Sequence, residues 1–325
     1  MDKKEYTLEE VKLEANSFLN RKKAINKTTY LNYRTSFNYF TYYLEEIAEV
    51  NVVNISNKEA VVEEFQGVLL NGFSYRTDST VRCVKIKPNG VNTHIRRIKT
   101  FFNKCLGLPV EVKKLNVNRP KYKSLTPEEI KLLVTECFNY WKNEEIAIRN
   151  STLITFLFNT AFRINEALTI KEADVFSNEG SYYVRIHEKG KAKGVLTEIT
   201  ISENTFNLLN KYIEVKKVPS VYLFSSTKAS ADGMAKNLSR EVFNRYVRNL
   251  AKYVDVKHNT KIYKTVENNS SHFLRHSKAT YLLNVKKEDV VTVKEILRHK
   301  SIDSTLIYLN PEEEAINKVR INNDL

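Results

Sequence analysis

The chain has 325 residues, long enough for about two domains that each bury a core, which excludes a peptide-sized or disulfide-stapled scaffold. Apolar residues make up 42% and charged residues 28%, with only 8 Gly and 6 Pro, which excludes a disordered or collagen-like chain. Lys plus Arg is 52 against 38 Asp plus Glu, a formal charge of +14, and such an imbalance favours a polyanionic partner.

The charge is concentrated. Residues 76–123 hold thirteen basic side chains, from Arg76 and Arg82 through Arg119 and Lys123, against Asp78 and Glu111 alone. That segment is the expected phosphate-tracking surface, although charge by itself fits a solvated basic face equally well. Cys83, Cys105 and Cys137 are odd in number and far apart, with no CxxC pair, which fits neither a disulfide framework nor a thiolate zinc site and points to a reducing cytosol. Residues 1–10 are charged and polar where a signal peptide needs an apolar run, and no stretch of ~20 apolar residues is present to span a bilayer. The expectation is a soluble cytoplasmic protein with no membrane contact. Its Asn, Lys and Ile richness points to an AT-rich, bacterial source.

The first segment reads as helical. Thr7 and Glu10 form a capping box, and Leu8, Val11, Ala15 and Phe18 follow at helical spacing. A second helix runs over about 29–48, where Tyr30, Tyr33, Phe37, Phe40, Leu44 and Ile47 recur in steps of three and four, a stripe that reads as core and not as a base-stacking platform. Another amphipathic helix starts near Asn92, with Ile95, Ile98, Phe102 and Cys105 on one side. Arg96, Arg97 and Lys99 lie mostly elsewhere and are candidate contacts to a DNA groove. Residues 113–124, KKLNVNRPKYKS, lack helical periodicity, contain Pro120 and are strongly basic, as expected of an extended linker along a charged ligand, with Lys121 and Lys123 as candidate contacts. The domain boundary is placed there, between a helical, basic module over 1–120 and a larger module over 124–325.

The second module opens with Thr126-Pro127-Glu128-Glu129, a capping box with proline at the first helical position. Residues 146–158 are apolar on most faces and carry one charge, Arg149, as in a helix buried in a core. The period then switches: Tyr182, Val184 and Ile186 alternate, as do Val195, Thr197, Ile199 and Ile201, giving a β-hairpin with its tip over 188–194. Helical patterns resume over about 204–215, 238–253, 272–284 and 290–297. A tail from about 311 carries Ala315, Ile316 and Val319 on a short helical face. The fold class is therefore mainly α, with a small antiparallel β-sheet in the second module.

Residues 271–280 (SHFLRHSKAT), 296–309 (ILRHKSIDSTLIYL), 160–166 (TAFRINE) and the hairpin tip Lys189-Gly190-Lys191 together resemble the tyrosine recombinase, or phage integrase, family. His272, Arg275 and His276 match the family's His-x-x-Arg-His box without a change, and Tyr308 lies nine positions after His299, similar to the interval between the family's late His and its nucleophilic tyrosine. The four pieces stand in the family's order over about 125–310. The resemblance implies catalytic roles for Arg163, Lys189, His272, Arg275, His299 and Tyr308. It implies a supporting role for Glu166, three residues after Arg163, and leaves His276 structural or supporting. The chain departs from the family's Thr-Gly-x-Arg at Ala161 and from its Leu-Gly-His at Arg298, and each missing glycine matters if the backbone there needs φ > 0. Glu188 replaces the first glycine of the family's Gly-Lys-Gly.

The residue chemistry agrees with that assignment. Opening a phosphodiester at neutral pH needs a nucleophile, a donor for the leaving alkoxide and cations where charge develops. Guanidiniums serve best because they are always charged and grip a phosphate bidentately, which makes Arg163 and Arg275 the expected clamp. Tyr308 is the expected nucleophile, a phenol of ordinary pKa ~10 that must be activated by positive charge and a base. Imidazole titrates near neutrality, so His272 is expected to take the tyrosine proton and His299 to donate to a non-bridging oxygen. The resemblance also implies that Lys189 protonates the departing 5′ oxygen, and Arg298 adds a charge expected at the DNA backbone. Zinc on His272 and His276 is disfavoured, because no Glu follows the first His and a guanidinium lies between them.

The resemblance further implies a two-domain, C-shaped clamp around double-stranded DNA, acting as a homotetramer on two duplexes through a Holliday junction, with the tail packed on a neighbouring protomer or on its own chain. It implies no metal, ATP or other cofactor, because a 3′-phosphotyrosyl bond conserves the phosphodiester energy. The expected role is integration, excision or transposition of a mobile element. Chromosome-dimer resolution, a type IB topoisomerase and a non-catalytic DNA-binding protein of the same fold stand as alternatives, and accessory proteins are not encoded in these motifs.

Overall fold

The computed structural model describes residues 5–77, 79–117, 123–187, 195–269 and 271–309. The chain divides into two compact units, Met1–Arg119 and Pro120–Leu325.

The first unit contains β1 (Glu5–Thr7), α1 (Leu8–Ile25), α2 (Lys27–Glu46), β2 (Val52–Asn54), α3 (Lys58–Asn71), β3 (Phe73–Thr77), β4 (Thr80–Val84) and α4 (Pro88–Phe101), which runs on into a π-helical turn, Phe102–Leu106. The capping box forms as expected: Glu10 N–H donates to Thr7 Oγ1 (3.3 Å) and Thr7 N–H to Glu10 Oε2 (3.0 Å). Asn26 closes α1 and starts α2, its side chain accepting from Thr29 N–H. The aromatic stripe of α2 is core. Phe37, Phe40 and Leu44 are buried with Phe18, Phe65, Phe101 and Phe102, and Phe37 meets Phe101 edge-on at 4.9 Å, the geometry that ring quadrupoles favour.

This unit is not helical throughout. β1 pairs with β2, and β3 with β4, both antiparallel. The hairpin escapes a hydrophobic reading because only Phe73 and Tyr75 of β3 and Val84 of β4 face the core. The chain just ahead of the expected linker packs back on this unit. Val110 and Val112 are buried, and Asn92 grips Leu115 in both directions, accepting from its N–H and donating to its carbonyl at 2.9 Å each. The chain up to Leu115 is thus strapped along α4.

The second unit contains α5 (Pro127–Tyr140), α6 (Glu144–Thr160), α7 (Ile164–Ala167), β5 (Val175–Asn178), β6 (Ser181–His187), β7 (Leu196–Ile201), α8 (Glu203–Val215), β8 (Ser225–Ala229), β9 (Ala235–Asn237), α9 (Arg240–His258), α10 (Ile262–Asn269), α11 (His272–Thr280), α12 (Val290–Leu297) and α13 (Asp303–Leu306), with a π-helical turn over Tyr281–Val285 after α11. Thr126 caps α5 through a box with Glu129, with Pro127 in the first turn. The expected hairpin is present as β6 and β7, and β5 extends it to three antiparallel strands. The helix α6 runs through the core, and even Arg149 is 1% exposed there, donating to Asn150 Oδ1 and Ser225 O. Leu125 N–H donates to the buried Ser277 Oγ at 2.8 Å, which ties the start of this unit to α11.

A carboxylate fastens α5 to α9. Glu136, 4% exposed, accepts from Lys257 Nζ (2.8 Å) and Asn139 Nδ2 (3.1 Å) and lies 2.8 Å from His258 Nε2. Burial raises its pKa, but these partners outweigh burial and hold it at about 2. A depressed carboxylate stabilises the fold above its unfolded pKa of ~4.3 and loses that stabilisation as pH falls toward the folded value. Melting curves should therefore show wild type losing stability between about pH 4.5 and 2. Glu136→Gln should be less stable at pH 7 by roughly 1–3 kcal/mol and flatter across that window. Identical pH profiles would show that the latch carries no net charge interaction.

The tip 188–194, Lys121 and the tail from 311 lie outside the described residues. Among the described residues no helix is long and apolar enough to cross a membrane.

Candidate active site

Two left-handed turns build the site. Ala161, after α6, has φ 52°, and Arg298, after α12, has φ 53°. Both positions therefore require the conformation that glycine supplies without strain, and this chain adopts it with side chains. The backbone carbonyls of these turns converge on one guanidinium. Arg275, on α11 and 4% exposed, donates from Nη1 to Ala161 O at 2.6 Å and from Nη2 to Leu297 O. Burial, with Arg163 and Arg298 nearby, lowers its pKa to about 10, so it stays cationic at neutral pH.

Arg163 is the N-cap of the one-turn helix α7. Its Nη1 donates to Glu166 Oε1 at 2.8 Å, its backbone N–H to Glu166 Oε2 at 2.9 Å, and its Nη2 to Arg298 O at 3.3 Å. Glu166 is 4% exposed and also accepts from Arg298 Nη2 at 2.8 Å. Burial pushes the pKa of Glu166 up most strongly, but Arg298 and Arg163 together bring it below the usual carboxylate value. The expected supporting role of Glu166 takes the form of an anion shared between two guanidiniums.

Tyr308 follows α13 and is 5% exposed, packed with Ala161, Ala279, Leu282, Leu283, Val293 and Leu297. Its Oη lies 2.6 Å from His276 Nδ1. His272, expected at the tyrosine proton, is exposed, with its ring centroid 6.2 Å from that of His276. The imidazole on the phenol is therefore His276. His299 stacks on Tyr308 at 6.3 Å and lies 2.9 Å from Thr305 Oγ1 through Nδ1. Burial, then the neighbouring positive charges, lower the pKa of both His276 and His299 to about 4, so both rings are neutral near pH 7.

Two partners were not expected from sequence. Asn284 Nδ2 donates to Tyr308 O at 2.8 Å and fixes the backbone behind the phenol, and Thr305 orients His299. The signal for Asn284 was its place as the one polar side chain in Tyr281–Val285, YLLNV.

Several expected DNA contacts are otherwise engaged. Arg298 is turned inward onto Glu166, with its side chain 10% exposed, because a left-handed residue aims its Cβ away from the continuing helix. Arg97 donates to Asn32 O and Ser36 Oγ on α2, and Lys99 to Val112 O. Arg96 and Lys123 are exposed. Lys189 lies outside the described residues, and among those described no group of three or more His, Cys, Asp or Glu is placed to hold a metal ion.

The phage integrase family matches residues 123–315. Tyrosine recombinase XerD of Rickettsia prowazekii (strain Madrid E) is 24% identical over 329 residues, covering 93% of this chain and 93% of the relative. Tyrosine recombinase XerA of Pyrococcus horikoshii is 28% identical over 238 residues, 71% of this chain and 74% of the relative. Among solved structures, the XerH site-specific recombinase bound to palindromic difH substrate, a post-cleavage complex, aligns with a TM-score of 0.67 at 19% identity over 94% of this chain and 82% of that one. The Tn1549 transposon integrase in complex with transposon right end DNA aligns with a TM-score of 0.65 at 16% identity over 98% and 99%.

Proposed function

This chain belongs to the phage integrase family of tyrosine recombinases, a DNA strand-transfer class, and on that premise we propose that it cuts and rejoins duplex DNA at specific sites through Tyr308. The observation that carries the reading is the convergence, from segments far apart in the chain, of Arg163, Arg275 and His299, with His299 stacked on a tyrosine whose Oη lies 2.6 Å from His276 Nδ1.

In the proposed step the guanidiniums of Arg163 and Arg275 grip the non-bridging oxygens of the scissile phosphate. Tyr308 Oη attacks phosphorus, and a neutral His276 protonated on Nε2 receives the phenol proton at Nδ1. The bond to the 5′ oxygen breaks, and Lys189 protonates the departing alkoxide. His299 donates to a non-bridging oxygen. The products are a 3′-phosphotyrosyl bond and a free 5′-hydroxyl, and attack by the 5′-hydroxyl of a partner strand reverses the step. No ATP is required, because the phosphotyrosyl bond keeps the energy of the phosphodiester. The exposed cations Arg96 and Lys123, with Lys121, contribute contacts to the phosphate backbone.

The reading extends to a two-unit clamp on double-stranded DNA, a homotetramer on two duplexes and a cytoplasmic location. For the cellular role we favour integration, excision or transposition of a mobile element; the fold is shared with the Tn1549 integrase and with XerH alike. Chromosome-dimer resolution is the second reading, supported by the nearly full-length match to proteins named XerD.

The test uses nicked suicide substrates carrying the candidate recombination site, in EDTA. Wild type should form a covalent protein–DNA adduct on a denaturing gel and Tyr308→Phe none, while both bind the site with equal affinity. An adduct with Tyr308→Phe, or none from folded wild type bound to its site, would reject the assignment.

A further inference from the structure

Arg298 occupies a left-handed backbone position, φ 53°, where a long side chain is held at a conformational cost that glycine would not incur. The side chain is not a surface cation. It is 10% exposed, its guanidinium lies over the Phe162 ring at 4.5 Å, and Nη2 reaches Glu166 Oε2 at 2.8 Å. Its Nε is buried with no hydrogen-bond partner among the described residues. A strained backbone and a desolvated cation together need an offsetting interaction, and Glu166 supplies it.

We infer that Arg298 is a positioning residue of the phosphate site, which occupies Glu166 so that Arg163 keeps its charge for the phosphate. The inference rests on the clamp proposed for Arg163 and Arg275. Glu166 faces two guanidiniums, Arg163 through Oε1 and Arg298 through Oε2, and Arg275 is the third cation near it. With Arg298 present, three guanidiniums share one carboxylate, and two positive charges are left uncompensated. With glycine there, Glu166 would neutralise Arg163 and only one would remain. A phosphodiester carries one negative charge in the ground state and close to two when the phenolate has added to phosphorus. The extra cation therefore matches charge that appears only in the transition state, and its effect belongs on the rate of cleavage and not on DNA affinity.

This predicts opposite signs for stability and activity. Arg298→Gly relieves the left-handed strain, so its melting temperature should equal or exceed that of wild type. Its single-turnover rate of adduct formation on the suicide substrate should fall about 10–100-fold, with site affinity within about threefold of wild type. Arg298→Met, which keeps the strain and the packing on Phe162 but carries no charge, should lose rate to the same extent. In a Glu166→Gln background there is no carboxylate charge to offset, and Arg298→Gly should then cost less than about threefold. The inference is overturned if Arg298→Gly cleaves as wild type does, if Arg298→Met retains the wild-type rate, if the loss follows DNA affinity, or if it is equal in both backgrounds. Failure of the underlying clamp reads differently, as wild type that binds its site and forms no adduct.

Discussion

Arg275→Ala is expected to lower the rate of covalent adduct formation by on the order of 10³-fold, the upper range for losing one preorganised donor to a developing oxyanion. It should also destabilise the second unit. The guanidinium of Arg275 is the group on which the carbonyls of Ala161 and Leu297 converge. Removing it leaves two buried acceptors unpaired at roughly 1–3 kcal/mol each, and the turns that carry Arg163 and Arg298 lose their common anchor. Arg275→Lys separates the two effects. An ammonium restores the charge but lacks the planar fork that reaches two carbonyls and a phosphate together, so it should recover stability more than rate and remain at least about 10²-fold slow. Single-turnover cleavage and melting curves on the same preparations check this. A rate for Arg275→Ala within tenfold of wild type would remove Arg275 from the phosphate clamp.

Where local chemistry fixes an element, the sequence and the structure agree closely. Thr126, Pro127 and Glu129 mark the start of α5 because a capping box needs nothing beyond four consecutive residues, and the aromatic stripe of α2 points at its own core because helical spacing aligns it. The hairpin of β3 and β4 and the pair β8–β9 were illegible for the converse reason, since they expose much of their surface and offer at most two alternating apolar positions per strand. The helix α3 buries Val61, Val62, Phe65 and Leu69, with Gly67 on its opposite, open face.

The candidate site divides in the same way. The order of Arg163, His272-x-x-Arg275-His276, His299 and Tyr308 along the chain marks out the candidate set, but not which imidazole meets the phenol. His272 and His276 stand one turn apart on α11, and only the path of the chain after α13 decides that Tyr308 reaches the second. Arg298 shows the same limit, because a cation beside a phosphate site reads as a DNA contact until the left-handed backbone turns it toward Glu166. Charge is visible in composition. The direction in which a side chain points is set by φ and by what packs against it.

His276→Ala is expected to slow adduct formation by about 10²–10⁴-fold, the usual contribution of a positioned proton acceptor. His276→Asn separates position from proton transfer. Its Oδ1 can lie near the place of Nδ1 and accept from Tyr308 Oη, so it should hold the phenol and preserve most of the stability, yet it takes no proton and should stay slow. Acid adds a second readout. Burial and nearby positive charge lower the pKa of His276 from 6.5 to about 4, so the unfolded chain binds the proton more readily than the folded one. The stabilisation from keeping this ring neutral is complete above about pH 6.5 and is lost as pH falls from there toward about 4. Wild type should therefore lose stability across that window, and His276→Asn should lose less, with the remainder due to His299 and His94, whose pKa values burial also lowers to about 4. The cleavage rate should persist well below pH 6.5 and fall as pH approaches 4, because the ring remains neutral and able to accept. If His276→Asn cleaves at the wild-type rate, the ring only holds Tyr308 in place and the phenol proton leaves by another route. If His276→Ala does so too, the 2.6 Å contact has no part in the reaction, and the exposed His272 becomes the imidazole to test.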